Sequence, residues 1–175
     1  MRVCGQPFNL YLALALAATL LAGCRTQSKE EKQTAALRLH MQVPATSGMT
    51  KDVTVMRSSP VSVTVSDTPF LTEANVLAAR VTDTPGGFSV VIKFDEVGGW
   101  TLEQYTAGNP GRHFAIFGQW GEKLAEGRWL AAPLITHRLG DGELTFTPDA
   151  SRDEVDQFVQ GLNNVGKENR KHLPK

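Results

Sequence analysis

Two thiols (Cys4, Cys24), four imidazoles (His40, His113, His137, His172) and a group of carboxylates at Asp149, Asp153, Glu154 and Asp156 are the side chains with which this sequence could do chemistry. None of the histidines belongs to an HExxH motif or another metal-ligand spacing, and a hydrolytic zinc site needs three convergent protein ligands. His40 falls on the polar side of an alternating segment, His172 lies in the tail, and only folding could bring His113 and His137 together. All four read as surface or structural residues. The carboxylates do not follow the calcium-loop pattern with its central Gly and terminal Glu. They stand where a helix begins, and each acidic group there stabilises the helix N-terminus by about 0.3–1 kcal/mol. GxSxG, Walker and GxGxxG motifs are missing from the sequence. The expectation is therefore no metal, no cofactor, no small-molecule ligand and no enzyme activity. A hydrolase built on carboxylates distant in sequence stays open as an alternative, since separation in space defines such a pair.

The thiol of Cys24 has a more specific setting. Arg2 supplies a positive N-terminus, Leu10 to Leu21 is apolar except for Thr19, and the small residues Ala22 and Gly23 follow. The apolar run is short of the roughly 20 residues that cross a bilayer, and the whole has the pattern of a signal peptide over residues 1–23. Leu21-Ala22-Gly23-Cys24 resembles the lipobox of bacterial lipoproteins. That resemblance implies cleavage between Gly23 and Cys24 and a diacylglyceryl group on the Cys24 sulfur, so the membrane is the first partner expected. Two or more acyl chains hold a protein stably at a bilayer, where one gives only marginal binding. Arg25 stands where an Asp would resemble an inner-membrane retention signal. The expected location is thus the bacterial envelope, facing the periplasm, with the outer membrane favoured. Cys4 leaves with the leader and Cys24 carries lipid, which leaves no thiol for a disulfide, redox or zinc chemistry.

Length and charge narrow the range of architectures and partners. The chain has 175 residues, room for one domain with appendages. Lys plus Arg equal Asp plus Glu at 18 each, so no long-range attraction draws in a nucleic acid. Hydrophobic residues at 41% and charged residues at 21% are ordinary for a folded domain.

Hydropathy patterning then places the elements. Residues 24–36 are polar and of mixed charge, as a solvated tether would be. From Leu37 the residues Leu37, Leu39, Met41 and Val43 alternate with Arg38, His40 and Gln42, which predicts a half-buried strand opening a domain over 37–165. Val53–Met56 and Val61–Val65 predict strands about the turn at 57–60. Thr72 predicts a cap for a short helix to about Leu77. Ala79–Thr84 and Phe88–Phe94 flank Pro85-Gly86-Gly87 as a hairpin, with Phe88, Val90, Ile92 and Phe94 facing one way. Gly98-Gly99 predicts entry to a helix from Trp100 to about Ala107. Phe114–Phe117, Trp129–Ile135 and Leu144–Phe146 predict further strands. Ser151 and Glu154 have capping-box spacing ahead of Val155, Phe158, Val159 and Leu162, the pattern of an amphipathic helix. Residues 166–175 lack an apolar face and predict a frayed tail. The fold class expected is α+β: a single domain with a mostly antiparallel sheet and two or three helices.

With these elements placed, residues 69–164 resemble the head region of the first large periplasmic domain of the protein-export proteins SecD and SecDF. The carriers are Phe70-Leu71-Thr72-Glu73-Ala74-Asn75-Val76 and Ala79, then Phe94 with Gly98 or Gly99, then Thr106, Asn109 and Gly111 before Ala115-Ile116. Ala132-Pro133-Leu134-Ile135 and Phe146-Thr147-Pro148 follow, with Glu154 and Leu162 in the final helix. The resemblance implies a fold and a surface for exported or envelope polypeptides, and carries over no translocase motor, because the sequence offers no transmembrane helices to house the intramembrane ionisable residues of such a motor. A non-enzymatic protein-binding module accessory to export or envelope biogenesis is the resulting expectation, with a structural envelope lipoprotein as the alternative. Exposed strand edges could pair with an extended chain. Among Trp100, Tyr105, Trp120 and Trp129, most read as core. Trp120, flanked by Gln119 and Gly121 in a turn-like segment, is the candidate for partner contact, with structural packing as its alternative.

Overall fold

The computed structural model describes residues 33–172. The leader 1–23, the cleavage site Gly23–Cys24, most of the tether and the last three residues lie outside the described residues. The chain forms β1 (Ala36–Met41), β2 (Thr50–Val55), β3 (Val61–Ser66), β4 (Leu71–Thr72), β5 (Val76–Thr84), β6 (Gly87–Phe94), α1 (Glu96–Gly108), β7 (Phe114–Trp120), β8 (Glu126–Ala131), β9 (Glu143–Phe146) and α2 (Arg152–His172). These make a four-stranded sheet of order β4-β1-β7-β8, a three-stranded sheet β5-β6-β9 and the hairpin β2-β3. Every strand pair is antiparallel. This is the α+β domain expected, with two α-helices among the described residues. Among the described residues no helix is long and apolar enough to cross a membrane.

The principal core joins both larger sheets to α1 and α2. Leu37, Leu39, Ile116, Trp120 and Leu130 come from the first sheet, and Val90, Ile92, Phe94, Leu144 and Phe146 from the second. Val155, Phe158, Val159 and Leu162 of α2 complete it, as the helical periodicity predicts. Each such side chain contributes about 1.5–3 kcal/mol when fully buried. The capping box at the start of α2 also forms: the Ser151 backbone N–H and hydroxyl donate to Glu154 Oε2 at 2.7 and 2.9 Å. Those bonds, the backbone one first, together with Arg128 hold the Glu154 carboxyl below its ordinary pKa against the opposing effect of desolvation.

A second core lies on the other face of the four-stranded sheet. Val53, Val55, Val63 and Val65 of the β2-β3 hairpin pack there with Ala115. β1 is consequently covered on both sides, which corrects the expectation for His40. It is 2% exposed, its Nδ1–H donates to the Ser66 carbonyl at 2.8 Å, and its ring meets Trp129 edge-on at 5.3 Å. Desolvation, first, lowers the His40 pKa; nearby Lys51 and Arg38 act in the same direction, while the Ser66 bond and Asp67 oppose them. Because the unfolded chain then binds the proton more readily, stability should be complete above the ordinary pKa of about 6.5 and decline as pH falls toward the folded value. Denaturation midpoints at pH 7.5 and 5 should differ more for the wild type than for His40→Gln, and an equal pH dependence of the two would contradict this placement.

Four further expectations change. The tether expected to reach Ala36 ends earlier, since Ala35 and Ala36 are buried. The short helix after Thr72 is only a 3-10 turn at Glu73–Asn75, because β5 begins at Val76. α1 starts at Glu96, capped by the Asp95 carboxylate, which accepts from the Gly98 N–H at 2.7 Å. Gly98 lies inside the helix, and the position excludes a side chain because a Cβ there would stand 2.7 Å from that of Asn75.

The fourth concerns the tail, which is not frayed after Gly166: α2 continues to His172. Its attachment is polar and therefore invisible to a search for an apolar face. Asn163 accepts from the Ala79 N–H at 2.8 Å and donates to the Ala79 carbonyl at 2.9 Å. Asn169 donates to the carbonyls of Glu73 and Val76 at 3.0 and 2.9 Å, and Arg170 donates to that of Leu77. Gly166 permits this contact, since a Cβ there would lie 2.3 Å from the Leu77 oxygen.

Candidate functional site

The structure reverses the order of the aromatic candidates. Trp120 ends β7 in the register of Phe114 and Ile116, and it is 1% exposed. Its ring meets Phe158 edge-on at 6.0 Å, with the Arg128 guanidinium 5.3 Å from the ring centroid. The partner-contact reading of Trp120 is therefore corrected in favour of structural packing: the side chain is core. Trp100, expected among the core aromatics, is 62% exposed, as is Val97 three residues before it on the same side of α1. Gly98, Gly99, Leu102 and Thr106 are the buried residues of α1, and Trp100 lies about 200° around the helix from Leu102, so burying Leu102 leaves it in solvent. Tyr105 is partly covered by stacking on Phe70, ring centroids 4.3 Å apart.

A groove of about 370 Å³ opens elsewhere, lined by Met56, Leu130, Ala132, Pro133, Phe146 and Pro148 among others. Its walls come from the ends of β8 and β9 and from the tip of the β2-β3 hairpin. Arg57 ties that tip to the body, since its backbone N–H and Nε donate to the Asp149 carboxylate at 2.7 and 3.3 Å. Met56 is half exposed. Ala132-Pro133 and Phe146-Thr147-Pro148, two of the motifs that carry the SecD resemblance, thus meet at one groove.

Strand edges contribute less than expected. The backbone of β5 is closed along residues 76–79 by Asn163, Asn169 and Arg170 of α2. β4 is two residues long, and the Leu130 carbonyl on β8 accepts from the Asp149 N–H at 2.7 Å. Such covering and shortening are ways by which a sheet avoids unwanted strand addition.

Most of the described groups considered for chemistry have a local partner. His113 Nδ1–H donates to the Ala132 carbonyl at 2.7 Å, and its backbone N–H to Gln42 Oε1 at 2.8 Å. His137 Nδ1 lies 3.0 Å from the hydroxyl of Thr136. Of the carboxylates near α2, Asp149 receives Arg57, Glu154 receives Ser151 and Arg128, and Asp156 pairs with Arg152. Among the described residues no three His, Cys, Asp or Glu side chains are grouped to hold a metal ion.

No protein-family model matches the chain. No curated protein matches it either. Solved structures do. A structure of SecDF, a membrane component that enhances protein export, aligns over 94% of this chain and 71% of its own, with 19% identity and a TM-score of 0.53. SecDF in its super-membrane-facing form aligns over 75% of this chain with 19% identity and a TM-score of 0.54. The aligned part is 19% of that larger chain. The domain therefore has a SecD/SecDF-like fold, the resemblance expected from Phe70–Val76, Ala132–Ile135 and Phe146–Pro148.

Proposed function

We propose that this protein is a lipid-anchored, non-enzymatic module of the bacterial envelope that binds exported or envelope polypeptides. The anchor is the lipid on Cys24, and Arg25 favours the outer membrane with the domain facing the periplasm. The observation that carries the reading is the fold shared with SecDF, a membrane component that enhances protein export. Two apolar features could receive a chain emerging unfolded: the Val97–Trp100 face of α1 and the groove under Met56. Tryptophan is enriched among residues that dominate binding energy, and methionine adapts to varied partners.

The protein titrated with an unfolded envelope polypeptide should bind weakly and reversibly, and a folded control should not bind. Because the charges balance, ionic strength should change the affinity only modestly. Trp100→Ala or Met56→Asp should weaken binding without lowering the thermal midpoint, and the variant that does so locates the contact. Equal binding of unfolded and folded proteins, or none to either, would leave the structural lipoprotein as the better account. Turnover in a panel of hydrolase substrates would favour the carboxylate enzyme instead.

Lipid attachment has its own test. Cys24→Ala should abolish incorporation of labelled fatty acid and release the protein from the membrane fraction. Labelled lipid on the variant would overturn the anchor.

A further inference from the structure

We infer that the C-terminal end of α2 is a second, electrostatic membrane contact that receives the headgroups of anionic phospholipids. The inference rests on the lipid-anchor reading of Cys24 and adds to it the face that meets the bilayer. Charge is segregated along this chain. From Lys167 to Lys175 four basic residues stand against one acidic, whereas from Cys24 to Gly166 thirteen basic residues stand against seventeen acidic. The balanced total thus hides a positive end on an otherwise negative protein.

The fold brings α2 from Gly161 to Lys171 beside Gln33 and Thr34, the side from which the tether reaches the domain. The Asn164 side chain donates to the Gln33 carbonyl at 2.9 Å. At Gly161 the helix approaches so closely that a Cβ would lie 2.7 Å from the Thr34 carbonyl carbon. Lys167 and Lys171, four residues apart and both exposed, line one hollow with Gln33 and Thr34. Arg170 holds the same turn of helix against β5 through the Leu77 carbonyl. The ion pair of Lys171 with Glu168, at 2.8 Å, lies in solvent and leaves the end net positive.

Reach completes the argument. Cys24 and Gln33 are nine residues apart, and an extended chain advances about 3.3–3.6 Å per residue, so the tether spans about 30 Å at most. A lipid on Cys24 would therefore keep this end of α2 near the headgroups, where basic side chains are attracted to an anionic surface over about one Debye length. The acidic remainder of the domain would be turned away by the same field. An acidic polypeptide is the competing occupant, and the experiment separates the two.

The full-length lipidated protein would be reconstituted into phosphatidylcholine vesicles with or without phosphatidylglycerol. Lysines would be acetylated with a soluble reagent and read by mass spectrometry. Lys167 and Lys171 should label several-fold more slowly on the anionic vesicles, and high salt should remove the protection. Lys51 and Lys123 should label alike on both. Equal labelling of Lys167 and Lys171 on the two compositions would overturn the inference, as would protection appearing only after an acidic polypeptide is added. Flotation with phosphatidylcholine vesicles reads the acyl anchor separately. Failure to float would refute the anchor alone, and labelling in the presence of phosphatidylglycerol vesicles would still decide the contact.

Discussion

Trp120→Ala is expected to lower the stability of the fold by about 3–5 kcal/mol, the cost of removing a large aromatic side chain from a packed core. The indole is almost wholly covered, lies edge-on to Phe158 and carries Arg128 against its ring. Gly118 shows how tightly this region is filled: a Cβ there would stand 2.6 Å from Leu130 Cδ1 and 3.1 Å from Phe158 Cε2. The cavity left by alanine therefore has few neighbours free to collapse into it. Chemical denaturation measures the change, and a loss within the roughly 0.5 kcal/mol typical of surface positions would return Trp120 to the surface.

Phe158→Ala should cost a similar amount, about 3–5 kcal/mol, because its ring is the point at which α2 enters the core between Trp120 and Gly118. The two losses should not add. Removing both rings merges two cavities into one and deletes their mutual contact only once, so the double variant should lose less than the sum of the single losses. Strict additivity in a double-mutant cycle would mean that the two rings do not share a cavity.

These residues also show which parts of the structure were legible in the sequence. Phe158 was legible because Val155, Phe158, Val159 and Leu162 repeat with the helical period and bury one face, the case for which periodicity is informative. Its neighbours Gln119 and Gly121 make Trp120 look like a loop residue. Counting parity forward from Phe114 and Ile116 along β7 would have placed it inward with them. His40 could not be found by alternation, because a strand covered on both faces no longer separates polar from apolar positions, and the cover is a hairpin distant in sequence. Trp100 depended on which face of α1 is buried. Leu102 and Thr106 mark the buried face, and Trp100, two residues and about 200° from Leu102, stands on the opposite one. The last turns of α2 use Asn169 and Arg170 to bond the carbonyls of residues 73, 76 and 77, an attachment without hydrophobic signal. The SecD-like fold itself was legible from short motifs in the right order. That two of them, Ala132-Pro133 and Phe146-Thr147-Pro148, meet at one groove became visible only in three dimensions.

Placing a photoreactive amino acid at positions 56 and 100 in turn, in the living bacterium, tests the polypeptide-binding claim most directly. The account predicts adducts with exported polypeptides still unfolded, from at least one of the two positions, disappearing when export is blocked. Position 112, exposed on another loop, should give none. Adducts with folded envelope proteins alone, or the same yield from all three positions, would contradict it.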